Sequence, residues 1–423
     1  MKMKKRIVKE ENAMCAAKTK KVKDIVNWKK FKGKDWCALL KVQPQFADKC
    51  DWSELECTDW AELLSFQPQF AEHCRMLSQG WLVDCICNEK LISAQPQFAD
   101  KCNFDKLGNF EWVTIVSSTD AFDDKCDFAR FDGLCWALIL AKRPELIKKC
   151  NLEVVDAANW INIVRDNPSL AKYCDLSKLD DNGIALLVAK DPSLAGKCNF
   201  SKVCAENWSR LLAEQPQFAG KCKKWGEFGE RDEMISDATC YMVDVLAKQP
   251  QLADRCDFGL LKPLDWFALL KAQPQFADKC DWKAMRPSKK MLADRMEHGN
   301  VISQFSTQWK ELLVAQPGFA DKCPWDVIDI WDISELVAVR PEFAEKCDFS
   351  ALDKGCLATI LSAQPQFADK CDWAEIDVPG AWVKILKAQP QFADKCGSFK
   401  RFDGSNWAEL LSAQPQLADF GKQ

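Results

Sequence analysis

Cysteine is the residue type in this sequence with the widest chemical range, because a thiol can form a disulfide, bind a metal ion or act as a nucleophile. The chain has 23 cysteines among 423 residues. Fourteen of them recur at one position of a repeated sequence, mostly 24 residues apart, and we call this set the cysteine ladder. Its members are Cys50, Cys74, Cys102, Cys126, Cys150, Cys174, Cys198, Cys222, Cys256, Cys280, Cys323, Cys347, Cys371 and Cys396.

The spacing of the cysteine ladder argues against metal binding and against a series of disulfides. Zinc sites usually combine two closely spaced ligand pairs, whereas the only close cysteine pair here is Cys85 and Cys87, and the chain has just 2 histidines. Ladder positions on neighbouring packed helices would lie about 8–10 Å apart, but a disulfide needs Cα atoms within about 7 Å. We therefore predict that the ladder packs in the core, that no metal or other cofactor is bound, and that the protein is cytoplasmic, where thiols stay reduced.

Catalytic signatures are missing from the sequence. We find no glycine-rich dinucleotide or phosphate loop, no HExxH zinc motif and no GxSxG nucleophile elbow. His73 replaces the lysine of an otherwise ordinary repeat, and His298 lies in the longest insertion without a cysteine or serine partner nearby. The recurring Asp48–Lys49 pair consists of neighbours that point apart on a helix. The sequence therefore predicts a protein that is not an enzyme.

The cysteine ladder is one column of a longer repeat, seen clearly in the string QPQFADKC from Gln43 to Cys50. Its proline occurs fourteen times, and a degenerate fifteenth copy has Asp120 at the same position. The prolines are Pro44, Pro68, Pro96, Pro144, Pro168, Pro192, Pro216, Pro250, Pro274, Pro317, Pro341, Pro365, Pro390 and Pro415. Most steps are 24 residues, and three longer steps place insertions near residues 75–80, 223–233 and 283–301.

Each copy carries the apolar pattern of an α-helix before its proline. Tryptophan stands eight residues before the proline in ten of the fifteen copies, and an aliphatic pair follows, as in Trp36, Leu39 and Leu40. The spacing i, i+3, i+4 defines one face of a helix. Proline ends that helix and suits the first turn of a second one. The Asp or Asn that follows the ladder cysteine, with an aromatic residue or Leu after it, predicts a short 3-10 or helical turn.

These units predict an all-α fold, a right-handed α-solenoid of about fifteen 24-residue repeats, each with two short helices and a 3-10 or helical turn. A unit of this length cannot bury its apolar face alone, so neighbouring units must bury it together. We expect residues 1–27 to form a basic, partly disordered tail and residues 28–423 to form a single solenoid. No apolar run is long enough to span a membrane, so we expect no membrane insertion.

The 24-residue period and the order of helix then proline resemble the α-solenoid superfamily, and in period most nearly the leucine-rich-repeat-variant proteins. The string QPQFADKCDW, Gln43 to Trp52, also resembles tandem repeats of uncharacterised bacterial proteins. The resemblance covers roughly residues 28–420 and implies repeats that alternate an α-helix with a 3-10 helix, and a bacterial source. The iron–sulfur module that the variant family can carry is not implied, because the first 49 residues hold only Cys15 and Cys37.

Two recurring glutamines, Gln43 and Gln45 in the first copy, have two interpretations. They form hydrogen bonds between repeats, or they present a polar row to a polymeric ligand. We favour the hydrogen bonds, because backbone groups at each turn of the stack need partners.

Specific binding is expected in the insertions, because insertions in solenoids map to loops that often lie on the binding face. We predict a partner-binding site in the insertions 223–233 and 283–301, where aromatic and basic side chains could act as hot spots. The predicted residues are Trp225, Phe228, Arg231, Arg286, Lys289, Lys290, Arg295 and His298. The alternative is that both insertions are tolerated surface loops.

The charge of the chain is uneven, with a net +9 over residues 1–35 and a net −13 over the remainder. The sequence favours a non-catalytic scaffold or adaptor that recognises a protein partner on an extended solenoid surface. The alternative is nucleic-acid binding through the basic N-terminus and the 283–301 loop, against which stands the acidic body.

The last copy lacks the polar cap that solenoid ends usually carry. We expect its apolar face to be covered by a partner, by a second copy in end-to-end self-association, or by the tail at Phe420. The sequence leaves the oligomeric state open.

Overall fold

The computed structural model describes residues 25–75, 88–101, 104–230, 239–288, 292 and 295–420 except 398. The chain forms two compact units. Unit 1 consists of Met1–Asn88 together with Phe349–Gln423, and unit 2 consists of Glu89–Asp348. Every regular element in these residues is helical, which confirms the all-α repeat fold. No helix within the described ranges is long and apolar enough to cross a membrane.

One α-helix precedes each repeat proline, or Asp120 in the degenerate copy, and most are 10 residues long. The helices are α1 (Gly33–Val42), α2 (Cys57–Phe66), α3 (Asn88–Ala94), α4 (Asn109–Ser118), α5 (Gly133–Lys142), α6 (Ala157–Asp166), α7 (Asp181–Lys190), α8 (Ala205–Glu214), α9 (Tyr241–Lys248), α10 (Pro263–Ala272), α11 (Arg295–Ala315), α12 (Ile330–Val339), α13 (Lys354–Ala363), α14 (Pro379–Ala388) and α15 (Gly404–Ala413). In unit 2, helices α4 to α12 pack in sequence order, each on the next.

The second helix of a repeat is a 3-10 helix, typically six residues long as in Pro216–Lys221, whereas the degenerate repeat has a turn over 121–125 in its place. The 3-10 helices that begin at the repeat prolines are Pro44–Lys49, Pro68–His73, Pro96–Lys101, Pro144–Lys149, Pro168–Tyr173, Pro192–Lys197, Pro216–Lys221, Pro250–Arg255, Pro274–Lys279, Pro317–Phe319, Pro341–Lys346, Pro365–Lys370, Pro390–Lys395 and Pro415–Asp419. Pro317–Phe319 has only three residues. The Phe218 N–H donates to the Gln215 carbonyl oxygen, 3.2 Å away, at the start of Pro216–Lys221. A hydrogen bond between residues i and i+3 is the bond that defines a 3-10 helix.

A second, three-residue 3-10 helix follows in most repeats and begins with the aromatic residue or Leu that precedes the next α-helix. These short helices are Trp28–Lys30, Trp52–Glu54, Phe104–Lys106, Phe128–Arg130, Leu152–Val154, Leu176–Lys178, Phe200–Lys202, Trp225–Glu227, Phe258–Leu260, Phe349–Ala351, Trp373–Glu375 and Phe399–Arg401. Their aromatic ring lies against the tryptophan of the following α-helix, as for Phe200 and Trp208 with centroids 5.3 Å apart. The ten repeat tryptophans are buried, so the predicted core positions are confirmed.

The first of the two recurring glutamines joins each repeat to the one before it. The Gln215 side-chain N–H donates to the Ala189 carbonyl oxygen (2.9 Å), and Gln273 does the same to Ala247 (2.6 Å). The second glutamine, Gln217, donates to Gln215 Oε1 at 2.8 Å and fixes its orientation. The last carbonyls of an α-helix have no partner within that helix, and the glutamine supplies one, which confirms the hydrogen-bond interpretation.

Other residue types make the same bond where glutamine is replaced. Asn167 donates to the Leu140 carbonyl oxygen at 2.7 Å. Arg143 and Arg340 donate to the carbonyl oxygens of Val116 (2.9 Å) and Val314 (2.6 Å). A donor that reaches the previous helix is therefore the constant requirement, and glutamine is its commonest form.

The last repeat is not open, because α15 packs against α1 inside unit 1. The stack in this unit runs α13, α14, α15, α1, α2. Phe420 contacts Phe399 of its own repeat, with ring centroids 5.9 Å apart. The expectation that a partner, a second copy or the Phe420 tail covers this end is therefore wrong for the face that α1 occupies.

The described cysteines of the ladder form no disulfide, and their side chains are buried or half-buried. Burial raises the pKa of the Cys150, Cys256 and Cys280 thiols to about 12, because an apolar surrounding disfavours the charged thiolate. Core packing of the ladder is thus confirmed where the structure describes it. Cys57, outside the ladder, is disulfide-bonded.

Replacing a first-position glutamine should weaken the fold more than replacing its neighbour. Gln215→Met keeps the side-chain length but leaves the Ala189 carbonyl without its donor, so we expect a loss of about 1–3 kcal/mol. Gln217→Met removes only the bond from the exposed Gln217 to Gln215 Oε1, and its loss should stay below about 1 kcal/mol. Urea denaturation followed by circular dichroism measures both, and equal losses would contradict the proposed role of Gln215.

The ladder thiols should resist alkylation in the folded protein. A thiol with a pKa near 12, such as Cys150 or Cys256, holds almost no thiolate at pH 7.5, and only the thiolate reacts quickly. Iodoacetamide labelling read by mass spectrometry should leave these positions unmodified, and the same treatment in guanidinium should modify them. Labelling of the native ladder at the rate of unfolded cysteine would show that it is not packed in the core.

Candidate functional site

The first predicted site residues belong to an ordinary repeat and not to an insertion. Trp225 occupies the short 3-10 helix Trp225–Glu227 and lies 5.0 Å from Phe228, centroid to centroid. Phe228 is fully buried and its carbonyl accepts from the Met242 N–H at 3.0 Å. Phe228 therefore offers no surface to a partner, and it fills the place that Leu55 has in an earlier repeat. All but one of the extra residues of this repeat follow Phe228, and Arg231 lies outside the described residues.

The second group of predicted residues is not a loop throughout, because α11 is 21 residues long and begins at Arg295. Its extension is explained by Ile302, Phe305 and Trp309, which lie on one helical face and are buried. Arg286 is exposed and forms an ion pair with Asp326. Arg295 and His298 are helical, but their side chains are not described, and Lys289 and Lys290 lie outside the described residues. The structure thus brings together no cluster from this group.

The recurring lysine of the repeat contacts aromatic rings of its own chain. The ammonium of Lys221 lies 4.8 Å from the ring of Phe200, and that of Lys279 lies 4.5 Å from Phe258. His73 takes the same place by stacking on Trp52, with centroids 4.4 Å apart and planes 8° apart. These side chains cover the aromatic row, so His73 has a packing role. Within the described part of the chain, no group of three His, Cys, Asp or Glu residues could hold a metal ion.

A different surface carries the most unusual side chains of unit 2. It is formed by the outward residues of the α-helices, at two, three, six and ten positions before the repeat proline, and we call it the α-face. Because the helices stack in register, equivalent positions such as Leu186, Arg210 and Asp244 lie side by side. The α-face is therefore a continuous surface across consecutive repeats.

A groove of about 580 Å³ crosses the α-face over helices α6 to α9. Alanines Ala189, Ala213 and Ala247 contribute small side chains to its lining, and this absence of bulk explains the depression. The remaining lining residues are Ile161, Arg165, Leu186, Lys190, Arg210, Glu214, Asp244 and Lys248. The groove thus combines an apolar base with charged side chains of both signs.

The cations of the groove already have partners. Arg210 pairs with Glu206 at 2.6 Å and Lys248 with Glu214 at 2.7 Å. The hydrogen bond from Lys248 lowers the pKa of Glu214. Each pair is solvent-accessible, and such pairs contribute little stability and can exchange partners.

Asp244 is an acidic residue of the groove, and the folded structure disfavours the charged form of its carboxyl group. Its side chain is exposed, but the walls of the groove displace water around it, and this desolvation raises its pKa. The nearby charges of Arg210 and Lys248 act in the opposite direction without cancelling the effect. A carboxyl group in this position can pair with a cation or donate a hydrogen bond when protonated.

An apolar patch adjoins the groove on helices α4 and α5. Phe110 is 62% exposed, Leu134 is 48% exposed and Leu138 is 45% exposed. Phe110 and Leu134 occupy the same repeat position on neighbouring helices, and Leu138 lies one turn after Leu134. Three large apolar side chains together on a charged surface are typical of a protein-binding site.

The α-face of unit 1 differs in character. Lys41 pairs with Glu62 at 2.5 Å and Lys387 with Glu409 at 2.7 Å. The exposed ring of Phe66 is covered by the Lys41 ammonium at 4.4 Å. Val42 and Phe66 are nevertheless exposed on this face (59% and 61%), and a groove of about 520 Å³, lined mainly by α1 and α15, adjoins Val42. An apolar patch beside a groove is therefore found in both units.

The sequence contained a signal for this surface that our reasoning missed. Positions ten and six before the proline are polar or small in most copies, such as Ser405 and Thr359, whereas Phe110, Leu134 and Leu138 depart from that pattern. Departures from a repeat at exposed positions point to binding more directly than insertions do.

Comparison with protein-family models, curated proteins and solved structures finds no match to this chain. The resemblance to leucine-rich-repeat-variant proteins therefore stays a prediction, carried by the 24-residue period and the order of helix then proline.

Replacing Asp244 should change stability with a defined pH dependence. The folded protein raises the pKa of this carboxyl, so its ionisation destabilises the folded state once the pH exceeds the unfolded value near 4. Asp244→Asn should raise the denaturation midpoint at pH 7, and the difference should vanish as the pH falls to about 4.

Asp175→Asn is the matched control in the same unit. Hydrogen bonds from the Ser177 hydroxyl and N–H lower the pKa of Asp175, so this change should lower the midpoint at pH 7 and lose its effect at acidic pH. Shifts of the same sign in both variants would contradict the assignment.

Proposed function

We propose that this protein is a non-catalytic scaffold or adaptor that binds a protein partner on the α-face of unit 2. The observation that carries the proposal is the exposed patch of Phe110, Leu134 and Leu138 next to the groove over α6 to α9. Interfaces are commonly built from an apolar centre with a polar rim. A partner segment would cover the patch with apolar side chains and exchange ion pairs in the groove.

The groove charges favour a protein over a nucleic acid. A surface that tracks a phosphate backbone carries an excess of unpaired Lys and Arg. Here Arg210 is paired with Glu206 and Lys248 with Glu214, and Asp244 adds a further acid. Alternating charges suit side chains of both signs, as a polypeptide presents them.

We also propose a cytoplasmic location. It is supported by the 18 cysteines of the described residues that form no disulfide, since thiols persist in reducing compartments. The disulfide at Cys57 points the other way. Measurement of the Cys57 redox state in cell extract would test this part of the proposal.

The patch is tested by a triple variant, Phe110→Ser, Leu134→Ser and Leu138→Ser. All three side chains are exposed, so the fold should survive. The matched control is Val154→Ser with Leu260→Ser, two residues that are also exposed (41% and 39%) but lie in short 3-10 helices away from the α-face. Capture from an extract of the source cells, with nuclease, should yield a protein that wild type and control retain.

The triple variant should bind that protein at least about tenfold more weakly, equivalent to roughly 1.4 kcal/mol. Equal binding by the triple variant would place the site elsewhere. Recovery of nucleic acid alone, lost at higher salt, would favour the nucleic-acid alternative.

A further inference from the structure

The contact between the last and the first repeat reproduces the contact between consecutive repeats. Gln43 Nε2 donates to the Ser412 carbonyl oxygen at 2.9 Å. One repeat later, Gln67 Nε2 donates to the Lys41 carbonyl oxygen at 2.8 Å. The same donor thus meets the same helix position, whether the two helices are neighbours in sequence or 369 residues apart.

Two other contacts repeat in the same way. Lys30 Nζ donates to the Phe402 carbonyl oxygen at 2.6 Å, as Arg401 donates to that of Asp377 at 2.7 Å one repeat earlier. Gly404 lies so close to Asp35 that a methyl group on it would overlap the carboxylate, and Gly33 has the same relation to Asp59. We call the contact of α15 with α1 the terminal joint.

We propose that the terminal joint is an interaction surface for a second copy of this chain, whose first repeat can take the place of α1 on α15. The occupant is identified by the structure itself, because the face of α15 already binds a first repeat through the three contacts above. Exchange of an identical element between copies requires no new contact. The self-association inferred here is thus an exchange, and it is independent of the partner site on unit 2.

Concentration decides which copy supplies the first repeat. Two sites joined by a short flexible linker meet at an effective concentration on the order of millimolar, and we take this value as the lower limit for two repeats that the folded chain holds together. The joint inside one chain should therefore dominate at micromolar protein, and exchange should become measurable as the concentration approaches that value. Once formed at high concentration, exchanged dimers separate only when both joints open.

Two carboxylates lie close together in the terminal joint, and their mutual repulsion favours separation of α1 from α15. Asp403, the N-cap of α15, lies near Asp35 at the third position of α1, and burial together with this like charge raises the pKa of Asp35. Lys32 on the other side of Asp35 acts in the opposite direction. At the next joint, Lys32 is the N-cap residue and Asp59 the third-position acid, so the two charges there have opposite sign.

The test mixes equal amounts of isotopically heavy and light full-length protein. The two are unfolded together, refolded at millimolar and at micromolar concentration, and treated with a lysine cross-linker. The Lys30–Lys400 link reports the terminal joint, since Lys30 Nζ lies 3.5 Å from the Lys400 carbonyl oxygen. The Lys190–Lys248 link across the unit 2 groove is the control.

In dimers isolated from the concentrated sample, about half of the Lys30–Lys400 links should join heavy to light chains, the statistical share for exchanged joints. The Lys190–Lys248 links should stay within one label, and the dilute sample should give same-label links only. The proposal would be overturned if no dimers formed at any concentration, or if the Lys30–Lys400 links in the dimers joined chains of the same label only. It would also be overturned if both the Lys30–Lys400 and the Lys190–Lys248 links joined heavy to light chains.

Two substitutions sharpen the result. Gly404→Val should abolish most Lys30–Lys400 links of either kind, while Gly380→Val, in the first turn of α14 with open space around it, should leave them unchanged. Asp403→Asn keeps the N-cap but removes the like charge, so closed monomers mixed at high concentration should exchange labels more slowly. Unchanged links in Gly404→Val, or faster exchange in Asp403→Asn, would contradict the terminal joint as described.

Discussion

The carbonyl groups at the end of each α-helix are the constraint on which this structure depends. A ten-residue helix leaves its last four carbonyls without partners, and burying them uncompensated would cost more than such a short helix gains. The repeat solves this with the glutamine before its proline, which reaches back to the previous helix, as Gln215 does to Ala189. Stacking order, register and the spacing of repeats follow from that bond together with the buried tryptophan.

Much of the fold could be predicted from the sequence because it depends on local periodicity. The i, i+3, i+4 spacing of Trp36, Leu39 and Leu40 specifies a helix and its buried face, and proline specifies where it ends. The sequence pattern did not specify that the second helix is a 3-10 helix. Phe46 and Cys50 are four residues apart, and this spacing also places two side chains on one face of an α-helix. Trp225 and Phe228 were assigned to an insertion because the repeats were aligned on their prolines. The buried residue three positions after the aromatic residue gives a better alignment, in which Phe228 matches Leu55.

The binding surface and the terminal joint could not be predicted from the sequence, for two different physical reasons. Exposure of Leu134 and Leu138 depends on which side of α5 the neighbouring helices cover, and hydrophobicity alone does not specify that side. The joint of α1 with α15 brings together repeats at opposite ends of the sequence, and no pattern within a single repeat specifies such a pairing. Both are properties of the assembled array, whereas the sequence pattern describes one unit.

The interchangeable contact at each repeat has a consequence for how such a gene can change. A duplication or deletion of one whole repeat leaves each remaining glutamine facing a helix end of the same geometry, so the encoded product keeps its hydrogen bonds. Changes of partial length would instead separate Trp, Gln and Pro from their counterparts in the next unit. Recombination between the near-identical copies around Pro365, Pro390 and Pro415 should therefore yield folded proteins of different length, on which selection can act.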